Sequence, residues 1–362
     1  MQHVLVLGAG KIGSLVAFLL AHSNRYHVAL ADVHEAHSLQ KSINELPHFD
    51  YHVLDVNDTK RMIAFIRKNN INALISSLPF HTTIAVAKLA AQHQLPYFDL
   101  TEDVKTTEAI ESLAAHSKTI FVPQCGLAPG FISIVAHDLM QHFQSLDTVK
   151  MRVGALPLDT SNALHYALTW STDGLINEYG NPCRAIEDGK IVATTPLEGL
   201  ESINLDGANY EAFNTSGGIG SLVKTYQNKV SQLNYKTIRY PGHCEKMKFL
   251  MNDLKLNEDR DTLKRILEHA IPRTNEDLVL VYVSVSGMQD GQFIEESYVK
   301  KFHASILGEH HWSAIQSTTA SSLCAVADIV LQDPEKYHGM IHQEDFSLDE
   351  LINNEFGRYF SS

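Results

Sequence analysis

Apolar and polar positions at the start of the chain follow the order strand, glycine turn, helix, strand. An apolar run at residues 4–7 is followed by glycines, a helix-like apolar stretch at 15–20 and a second apolar run at 28–31 that ends at Asp32. Short buried strands alternating with helices continue to about residue 125. Alternation of this kind predicts a parallel sheet with helices on its faces.

The remaining elements of this first region can be read from the same pattern. Further strands are predicted at 51–54, 73–75, 96–98 and 119–122, and helices after Asp32 and at 59–68, 83–93 and 104–116. Ligands of such sheets bind at the carboxyl ends of the strands. We therefore expect the residues that follow each strand to supply the functional side chains.

The pattern changes after about residue 146. A strand is predicted at 148–154, and Asp188-Gly189 and Gln289-Asp290-Gly291 indicate two hairpins, since such pairs suit tight turns. Helices are predicted at 132–142, 221–233, 245–254 and 260–270, and a final helical face runs from Trp312 to Val330. These elements predict an α+β domain built on a largely antiparallel sheet.

The fold class that follows is α/β, a Rossmann-type doubly wound parallel sheet with an inserted α+β domain. We assign residues 1–125 to the nucleotide-binding domain and 126–310 to a substrate and dimerisation domain. Residues 311–362 are expected to form C-terminal helices that return to the Rossmann domain.

Residues 8–13, Gly-Ala-Gly-Lys-Ile-Gly, connect the first strand to the first helix. Gly8 allows the tight turn, Gly10 lets a pyrophosphate approach the backbone, and Gly13 lets helix and strand pack closely. The helix start offers N–H groups to the phosphates. We therefore expect a dinucleotide to contact the whole turn: Gly8, Ala9, Gly10, Lys11, Ile12 and Gly13.

Asp32 bears on which dinucleotide binds. It follows the glycine turn by about 20 residues, where a carboxylate accepts hydrogen bonds from the adenine ribose. A carboxylate there repels a 2′-phosphate, and the next basic residue is Lys41. NAD is therefore preferred over NADP. Asp55 and Val56 are expected beside the adenine, and Ser76, Ser77, Leu78 and Pro79 beneath the nicotinamide ribose.

Two strings in the second domain place cations, hydroxyl groups and glycines beside apolar strands. They are residues 211–218, EAFNTSGG, and 235–243, YKTIRYPGH. Backbone and hydroxyl donors around Thr215 and Ser216 can surround a carboxylate. Arg239 can grip a carboxylate through two parallel hydrogen bonds. Strand-end turns with a surface arginine are the alternative interpretation.

Composition excludes several classes of protein. The chain has 362 residues, 44% of them hydrophobic, and a net charge of −13, which argues against a nucleic-acid partner and against an anionic membrane surface. Its four cysteines are widely spaced, as in reduced cytosolic proteins. No stretch predicts a signal peptide, a membrane span or a metal site. We expect a cytoplasmic protein without a metal.

The motifs together resemble the saccharopine dehydrogenase family. The resemblance covers nearly the whole chain and rests on the glycine turn, on both strings and on further motifs: DVND (55–58), SSLPF (76–80), YFDLTED (97–103) and CGLAPG (125–130). It is nearest to lysine 6-dehydrogenases and short bacterial saccharopine dehydrogenases. The resemblance implies a homodimeric enzyme that acts on a C–N bond of lysine or a lysine-derived amino acid. Within its motifs, Leu127 is assigned to the cofactor, and Phe80, Cys125 and Tyr240 join Thr215, Ser216 and Arg239 as substrate-binding residues.

Oxidation of an amine carbon to an imine requires a neutral nitrogen, so a base is expected near the strand ends. Asp99 and Glu102 are the candidates, and either could instead hold the substrate ammonium. His243 is an acid–base candidate, with closure of a turn as the alternative, and Cys125 is a pocket residue or an inert buried thiol. We predict that the active site lies in a cleft between the domains. A carboxynorspermidine-type dehydrogenase, a hydroxy-acid dehydrogenase and a non-catalytic NAD sensor are the other interpretations.

Overall fold

The structure is a computed structural model that describes residues 1–37 and 46–361. The helix predicted after Asp32 lies outside the described residues. The chain divides into two compact units: residues 1–130 with 319–362, and residues 131–318. The helix Ala314–Gln332 contains the point at which the chain passes from the second unit back to the first.

A parallel sheet organises the first unit. Its strands, in spatial order, are β17-β6-β5-β4-β1-β2-β3 among the described residues. Their bounds are β1 Gln2–Leu7, β2 Tyr26–Asp32, β3 Phe49–Val53, β4 Ala73–Ser76, β5 Tyr97–Asp99, β6 Ile120–Val122 and β17 Gly339–Met340. The chain moves outward from β1 through β2 and β3 and then crosses back to β4. This reversal beside β1 is the point at which open α/β sheets bind their ligands.

Helices complete the first unit. They are Lys11–His22, Thr59–Lys68, Phe80–His93, Val104–Ala114 and Leu348–Asn353, with short 3₁₀ turns at Pro334–Lys336, Gln343–Asp345 and Gly357–Phe360. Leu5, Leu74, Val86 and Ile110 are fully buried in the core of this unit. The doubly wound parallel sheet expected from the sequence is confirmed.

The second unit contains a mixed sheet. Its main path is β10-β11-β12-β7-β13-β14 among the described residues, with β8 and β9 attached to β12. The bounds are β7 Ser145–Pro157, β8 Cys183–Glu187, β9 Lys190–Thr194, β10 Glu201–Leu205, β11 Ala208–Asn214, β12 Val230–Arg239, β13 Asp277–Gln289 and β14 Gln292–His303. Only the β12–β7 pair of this path is parallel. The largely antiparallel character is therefore confirmed.

Helices and a small hairpin surround the mixed sheet. The helices are Phe131–Met140, Thr172–Gly180, Leu222–Thr225, His243–Lys248 with a π-helical extension at Phe249–Asp253, and Arg260–Ala270; the hairpin pairs β15 Ser305–Leu307 with β16 His310–Trp312. Both predicted two-residue turns are present, since Asp188-Gly189 connects β8 to β9 and Asp290-Gly291 connects β13 to β14.

The helix predicted at 221–233 is wrong. One helical turn, Leu222–Thr225, is followed by the left-handed residue Asn228 (φ 62°) and then by β12. A left-handed residue ends a helix. The apolar spacing suited either structure, and residues 230–233 form a strand because they pair with β7 on one side and, at Gln232 and Leu233, with β8 on the other.

The helix Ala314–Gln332 is long and apolar enough to cross a membrane by length and composition alone. The sequence predicts a helix here but no stretch of that apolar length. In the fold, 89% of an 18-residue window of this helix is buried. Core helices of folded domains pass the same test, so the helix is weak support for a membrane span.

Candidate functional site

The glycine turn is held against the loop that follows β4. The Gly8 N–H donates to the Ala31 carbonyl (2.8 Å), and Gly8 adopts φ 101°, a conformation that favours glycine. A Cβ atom at Gly8 would lie 2.7 Å from the Ser77 carbonyl oxygen, and one at Gly13 would lie 1.8 Å from the Gly8 carbonyl oxygen. Gly8 and Gly13 are therefore required by contacts within the protein.

Gly10 differs from both. It adopts φ −71°, which any residue can adopt, and a Cβ atom there would meet no atom within 4 Å among the described residues beyond its two chain neighbours. Gly10 is the N-cap residue of the helix Lys11–His22, which has no side-chain cap and no acidic residue in its first turn. Open space beside an uncapped helix start suits a phosphate group. These features fit the pyrophosphate of a dinucleotide.

Asp32 binds the same turn. One carboxylate oxygen accepts a hydrogen bond from the Ala9 N–H (2.8 Å) and the other from the His34 N–H (3.1 Å). The side chain remains partly exposed. Each oxygen has a second lone pair, so the carboxylate can hold the turn and still accept ribose hydroxyl groups.

The other predicted cofactor residues lie at neighbouring strand ends. Asp55 is exposed and accepts from the backbone and side chain of Asn57, while Val56 is buried. The Ser76 hydroxyl bonds to Thr83 (2.7 Å), and the Ser77 N–H donates to the Leu7 carbonyl (2.8 Å). Leu78 is partly exposed and Pro79 is exposed, at the start of the next helix.

Asp99 lies in the interior of the first unit and is fully buried. Its carboxylate accepts hydrogen bonds from the Tyr97 hydroxyl (2.6 Å) and from the N–H groups of Thr101 and Gln124 (2.9 Å each). Burial raises the pKa of Asp99, and the three donors oppose that rise. These contacts favour a role in fixing the loops after β5 and β6 over a role as a solvent-accessible base.

Glu102, three residues further on, is in a different environment. It is partly exposed. Desolvation is the main cause that raises the pKa of Glu102 to about 7, and the nearby carboxylates of Asp103 and Asp99 add to it. A carboxyl group that titrates near neutral pH is suited to accept a proton from a substrate. Asp103 caps the next helix by accepting from the Thr106 N–H (2.7 Å), so that task does not fall to Glu102 or Asp99.

The loop 125–130 supplies the remaining first-unit residues. Cys125 is fully buried, its thiol contacts the Val122 carbonyl (3.0 Å), and burial raises its pKa. This environment favours the inert-thiol interpretation of Cys125. Leu127 is also buried, and Phe80 is partly exposed at the start of its helix.

In the second unit, the two motif strings lie side by side. β11 pairs antiparallel with β12, which places Glu211 opposite Arg239. The Glu211 carboxylate accepts hydrogen bonds from the N–H groups of Gly242 (2.7 Å) and Cys244 (2.6 Å). Glu211 of the first string therefore fixes the turn of the second.

Arg239 is buried within this unit, with 3% of its surface exposed. Its Nε–H donates to the Tyr179 hydroxyl (2.8 Å) and its Nη1 to the Ile238 carbonyl (2.8 Å). The guanidinium carbon lies 5.2 Å from the ring centre of Tyr166 and 5.8 Å from that of Tyr179. Arg239 is thus oriented by hydrogen bonds and by two aromatic rings.

His243 completes this arrangement. Its Nδ1 lies 2.8 Å from the Leu164 carbonyl oxygen, and its Nε2 lies 3.1 Å from the Tyr179 hydroxyl. Burial, with the charge of Arg239, lowers the pKa of His243 to about 3. The imidazole is therefore neutral at pH 7, with Nδ1–H donating to Leu164 and Nε2 accepting from Tyr179. His243 orients Tyr179, and through it Arg239, rather than exchanging protons.

Three predicted substrate residues are engaged inside the second unit. The Thr215 hydroxyl bonds to Thr237 (2.7 Å), the Ser216 hydroxyl donates to the Pro182 carbonyl (3.0 Å), and the Tyr240 hydroxyl donates to the Pro157 carbonyl (3.0 Å). The contacts of Thr215, Ser216 and Tyr240 favour structural roles. Gly218 is also a packing position, since a Cβ atom there would lie 2.3 Å from the Tyr235 ring.

Sequence reasoning missed the residues that surround Arg239. Tyr166, Tyr179 and the carboxyl group of Glu178 are buried, and Trp170 donates to the Tyr166 hydroxyl (3.2 Å). The charge of Glu178 acts on Arg239 and on both tyrosines. The aromatic spacing at 166, 170 and 179 is the signal that could have indicated them. In the two described ranges, 1–37 and 46–361, no group of three His, Cys, Asp or Glu side chains could hold a metal.

Comparisons with known proteins match nearly the whole length of the chain. A family model described as saccharopine dehydrogenase NADP binding domain matches residues 4–121, and one described as saccharopine dehydrogenase C-terminal domain matches residues 126–358. A solved structure of saccharopine dehydrogenase (L-Glu forming) from Saccharomyces cerevisiae is similar with a TM-score of 0.77 and 18% identity, over 97% of this chain and 95% of that chain. This likeness shows the fold.

Two curated relatives match this chain over less than half of their own length. The saccharopine dehydrogenase (NADP(+), L-glutamate-forming) of Schizosaccharomyces pombe is 23% identical over 201 residues, which are 53% of this chain and 43% of the relative. The mitochondrial alpha-aminoadipic semialdehyde synthase of Rattus norvegicus is 21% identical over 316 residues, which are 82% of this chain and 32% of the relative. The chain spans less than half the length of these relatives.

Proposed function

This chain belongs to the saccharopine dehydrogenase family, and from that premise we propose that it is an NAD-dependent dehydrogenase of an amino acid. The proposed substrate is lysine or a lysine-derived amino acid such as saccharopine, oxidised at a C–N bond to an imine that water then hydrolyses. The bound dinucleotide supplies the hydride acceptor. The other parts of the reaction fall to the side chains of this chain.

The observation that carries the substrate class is the environment of Arg239. A guanidinium that is buried, stacked on tyrosine rings and held at Nε by Tyr179 keeps a fixed plane. A planar, oriented guanidinium is suited to bidentate recognition of a carboxylate. We propose that Arg239 binds the carboxylate of the substrate, which favours an amino acid over an amine without one.

The preference for NAD is a proposal from Asp32. Its partly exposed carboxylate would repel a 2′-phosphate, and residues 33–37 contain no Arg or Lys to accept one. The matching family model and the fission yeast relative carry NADP in their descriptions. Asp32 is therefore proposed to set this chain apart from them in cofactor choice.

The proposed base is Glu102. With a pKa of about 7 its carboxyl group is partly ionised at neutral pH and can take the proton from a substrate ammonium. Asp99 is proposed to hold the loop that carries Glu102, because its carboxylate accepts from the Thr101 N–H. In this proposal Glu102 is the base and Asp99 holds the loop, whereas the sequence alone left both residues as candidates for the base.

The test is a spectrophotometric screen of the purified protein. Lysine, saccharopine and carboxynorspermidine are each offered with NAD⁺ and with NADP⁺, and reduction of the cofactor is followed. We expect turnover of one amino-acid substrate, faster with NAD⁺. Binding of NADH without turnover of any amine would contradict the proposal in favour of a nucleotide sensor, and faster turnover with NADP⁺ would overturn the assignment of Asp32.

A further inference from the structure

A long loop carries part of the surroundings of Arg239. Residues 158–171, all of which the structure describes, connect β7 to the helix Thr172–Gly180 and form neither helix nor strand of their own. Connections of this length inside a compact domain are uncommon and often functional. The loop contains Leu164 and Tyr166, whose contacts lead to Arg239.

Backbone hydrogen bonds to the segment before β13 fix both ends of this loop. The Leu158 N–H donates to the Glu276 carbonyl (3.1 Å), and the Leu168 N–H donates to the Pro272 carbonyl (2.9 Å). The backbone groups between these two bonds, at residues 159–167, need partners of their own wherever they leave the solvent.

Asn162 supplies such partners through both ends of its side-chain amide. Its Nδ2 donates to the Tyr166 carbonyl (2.6 Å), and its Oδ1 accepts from the N–H groups of Leu164 (3.1 Å) and Tyr166 (3.4 Å). The Asn162 carbonyl also accepts from the His165 N–H (2.9 Å). An amide side chain can donate and accept at the same time, as the backbone of a neighbouring strand would. Asn162 therefore holds residues 164–166 in one path.

This path includes a residue in an unfavourable backbone conformation. His165 adopts φ 49°, in the left-handed region that residues other than glycine seldom occupy. Such residues persist where their surroundings fix them, and they are concentrated at functional sites. Here the Asn162 side chain binds the residues on both sides of His165, which are Leu164 and Tyr166.

The loop reaches Arg239 by two routes. The first is direct, because the Tyr166 ring centre lies 5.2 Å from the guanidinium carbon. The second passes through hydrogen bonds, and it begins where the Leu164 carbonyl accepts from Nδ1 of His243 (2.8 Å). Nε2 of His243 in turn holds the Tyr179 hydroxyl, which accepts from Nε of Arg239. Both routes start at residues that Asn162 fixes.

We propose that Asn162 is a positioning residue for substrate recognition: it fixes the loop whose Tyr166 ring and Leu164 carbonyl hold the guanidinium of Arg239 in one plane. This inference rests on the proposed function, in which Arg239 binds the substrate carboxylate. Removal of the Asn162 amide frees the guanidinium to turn but leaves its charge in place. The substrate then loses two parallel hydrogen bonds while the attraction of opposite charges remains.

The first test follows the guanidinium without any substrate. The bond to Tyr179 protects the Nε–H of the buried Arg239 from exchange with water. Its signal in nitrogen-resolved NMR spectra can be assigned, because Arg239→Lys removes it. In Asn162→Ala this exchange should be faster by about tenfold or more, since a hydrogen bond that loses its support opens more often.

The second test measures KM and kcat with lysine or saccharopine, whichever the protein turns over. Asn162→Ala should raise the KM by about fivefold and change kcat by less than about twofold, the effect of losing a hydrogen bond that orients a binding group. The Kd for NADH should stay unchanged, because the glycine turn belongs to the other unit. Added to Arg239→Lys, the same change should raise the KM little further, since both act on one guanidinium.

Two further variants control these measurements. Ser161→Ala changes the exposed neighbouring residue, whose backbone N–H still donates to Asp159 (2.9 Å), and it should alter neither the exchange nor the KM. Asn162→Asp keeps the acceptor but loses the donor to the Tyr166 carbonyl, so intermediate values are expected. It also replaces Asn162→Ala if that variant does not fold, which circular dichroism establishes.

Faster Nε–H exchange together with a raised KM that does not add to the effect of Arg239→Lys supports the proposal. Unchanged exchange in folded Asn162→Ala overturns it, because the loop then does not hold the guanidinium. An unchanged KM despite faster exchange also overturns it, as does a KM effect that adds fully to that of Arg239→Lys. If neither amino acid is turned over, the proposed function fails, and the exchange measurement still decides whether Asn162 holds Arg239.

Discussion

The Nε–H of Arg239 donates to the Tyr179 hydroxyl over 2.8 Å, and that hydroxyl in turn bonds to the neutral imidazole of His243. In this series of hydrogen bonds, each group can act as donor or acceptor in only one way. His243 donates from Nδ1 to a carbonyl group and must accept at Nε2, so Tyr179 donates to it and presents a lone pair to Arg239. With the donor and acceptor of each bond assigned, these hydrogen bonds together hold the guanidinium plane of Arg239 in one orientation.

The first prediction concerns Asp32 and cofactor choice. Asp32→Ala removes the carboxylate that would bind the ribose and that accepts from the Ala9 N–H. We expect weaker NADH binding and a NAD-to-NADP affinity ratio reduced by about tenfold or more, because a tenfold change corresponds to about 1.4 kcal/mol. Fluorescence titration with both reduced cofactors measures the ratio.

The control for Asp32 is Asp50→Asn, an exposed carboxylate at the opposite end of the neighbouring strand β3. It should leave both affinities unchanged. Equal affinity of the unchanged protein for NADH and NADPH would show that Asp32 does not discriminate.

A second prediction compares two glycines of the same turn. Gly10→Ala introduces a Cβ atom that, in the part of the chain that the structure describes, meets no atom within 4 Å except those of its chain neighbours, so the melting temperature should stay the same while cofactor affinity falls. Gly13→Ala introduces one 1.8 Å from the Gly8 carbonyl oxygen, and such overpacking costs about 1–3 kcal/mol. Thermal unfolding and NADH titration of both variants distinguish the two effects. A stable Gly10→Ala protein with unchanged affinity would mean that the pyrophosphate lies elsewhere.

The third prediction is a pH dependence. Glu102 must be ionised to accept a proton, and its pKa is about 7. In the oxidative direction kcat/KM should therefore fall as the pH drops below about 7. Glu102→Gln should lower kcat by roughly 10²-fold or more and remove that limb of the profile. Glu108→Gln, at an exposed position of the next helix, is the matched control. An unaltered limb in Glu102→Gln would assign the base to another residue.

The fourth prediction separates Asp99 from Glu102. Asp99→Ala leaves the Tyr97 hydroxyl and two N–H groups without their buried acceptor. Each unsatisfied buried group costs about 1–3 kcal/mol, so a clear drop in melting temperature is expected. A variant of unchanged stability that has lost only kcat would restore Asp99 as a catalytic candidate.

The sequence predicted the first unit well because each of its signals is local. Glycines, an acid about 20 residues further on and buried strands follow one another within a short stretch of chain. The turns at Asp188-Gly189 and Asp290-Gly291 were also predictable, because their residues suit positive φ angles.

The contacts around Arg239 could not be predicted in the same way. Tyr166, Tyr179 and His243 come from separate segments, and only the tertiary fold brings them to one guanidinium. The strand β12 was mistaken for a helix in its first half for a similar reason, since pairing with β7 and β8 decides the conformation of that half. Burial, which separates the roles of Asp99 and Glu102, is likewise a property of the folded chain.

The most direct measurement is the KM for the amino-acid substrate in Arg239→Lys, with NADH affinity determined on the same protein. Lysine keeps the charge but loses the planar pair of donors. We predict that the KM rises at least tenfold while the Kd for NADH stays unchanged, and that Tyr179→Phe raises the KM by a smaller factor. An unchanged KM in folded Arg239→Lys protein would contradict the proposal that Arg239 binds the substrate carboxylate.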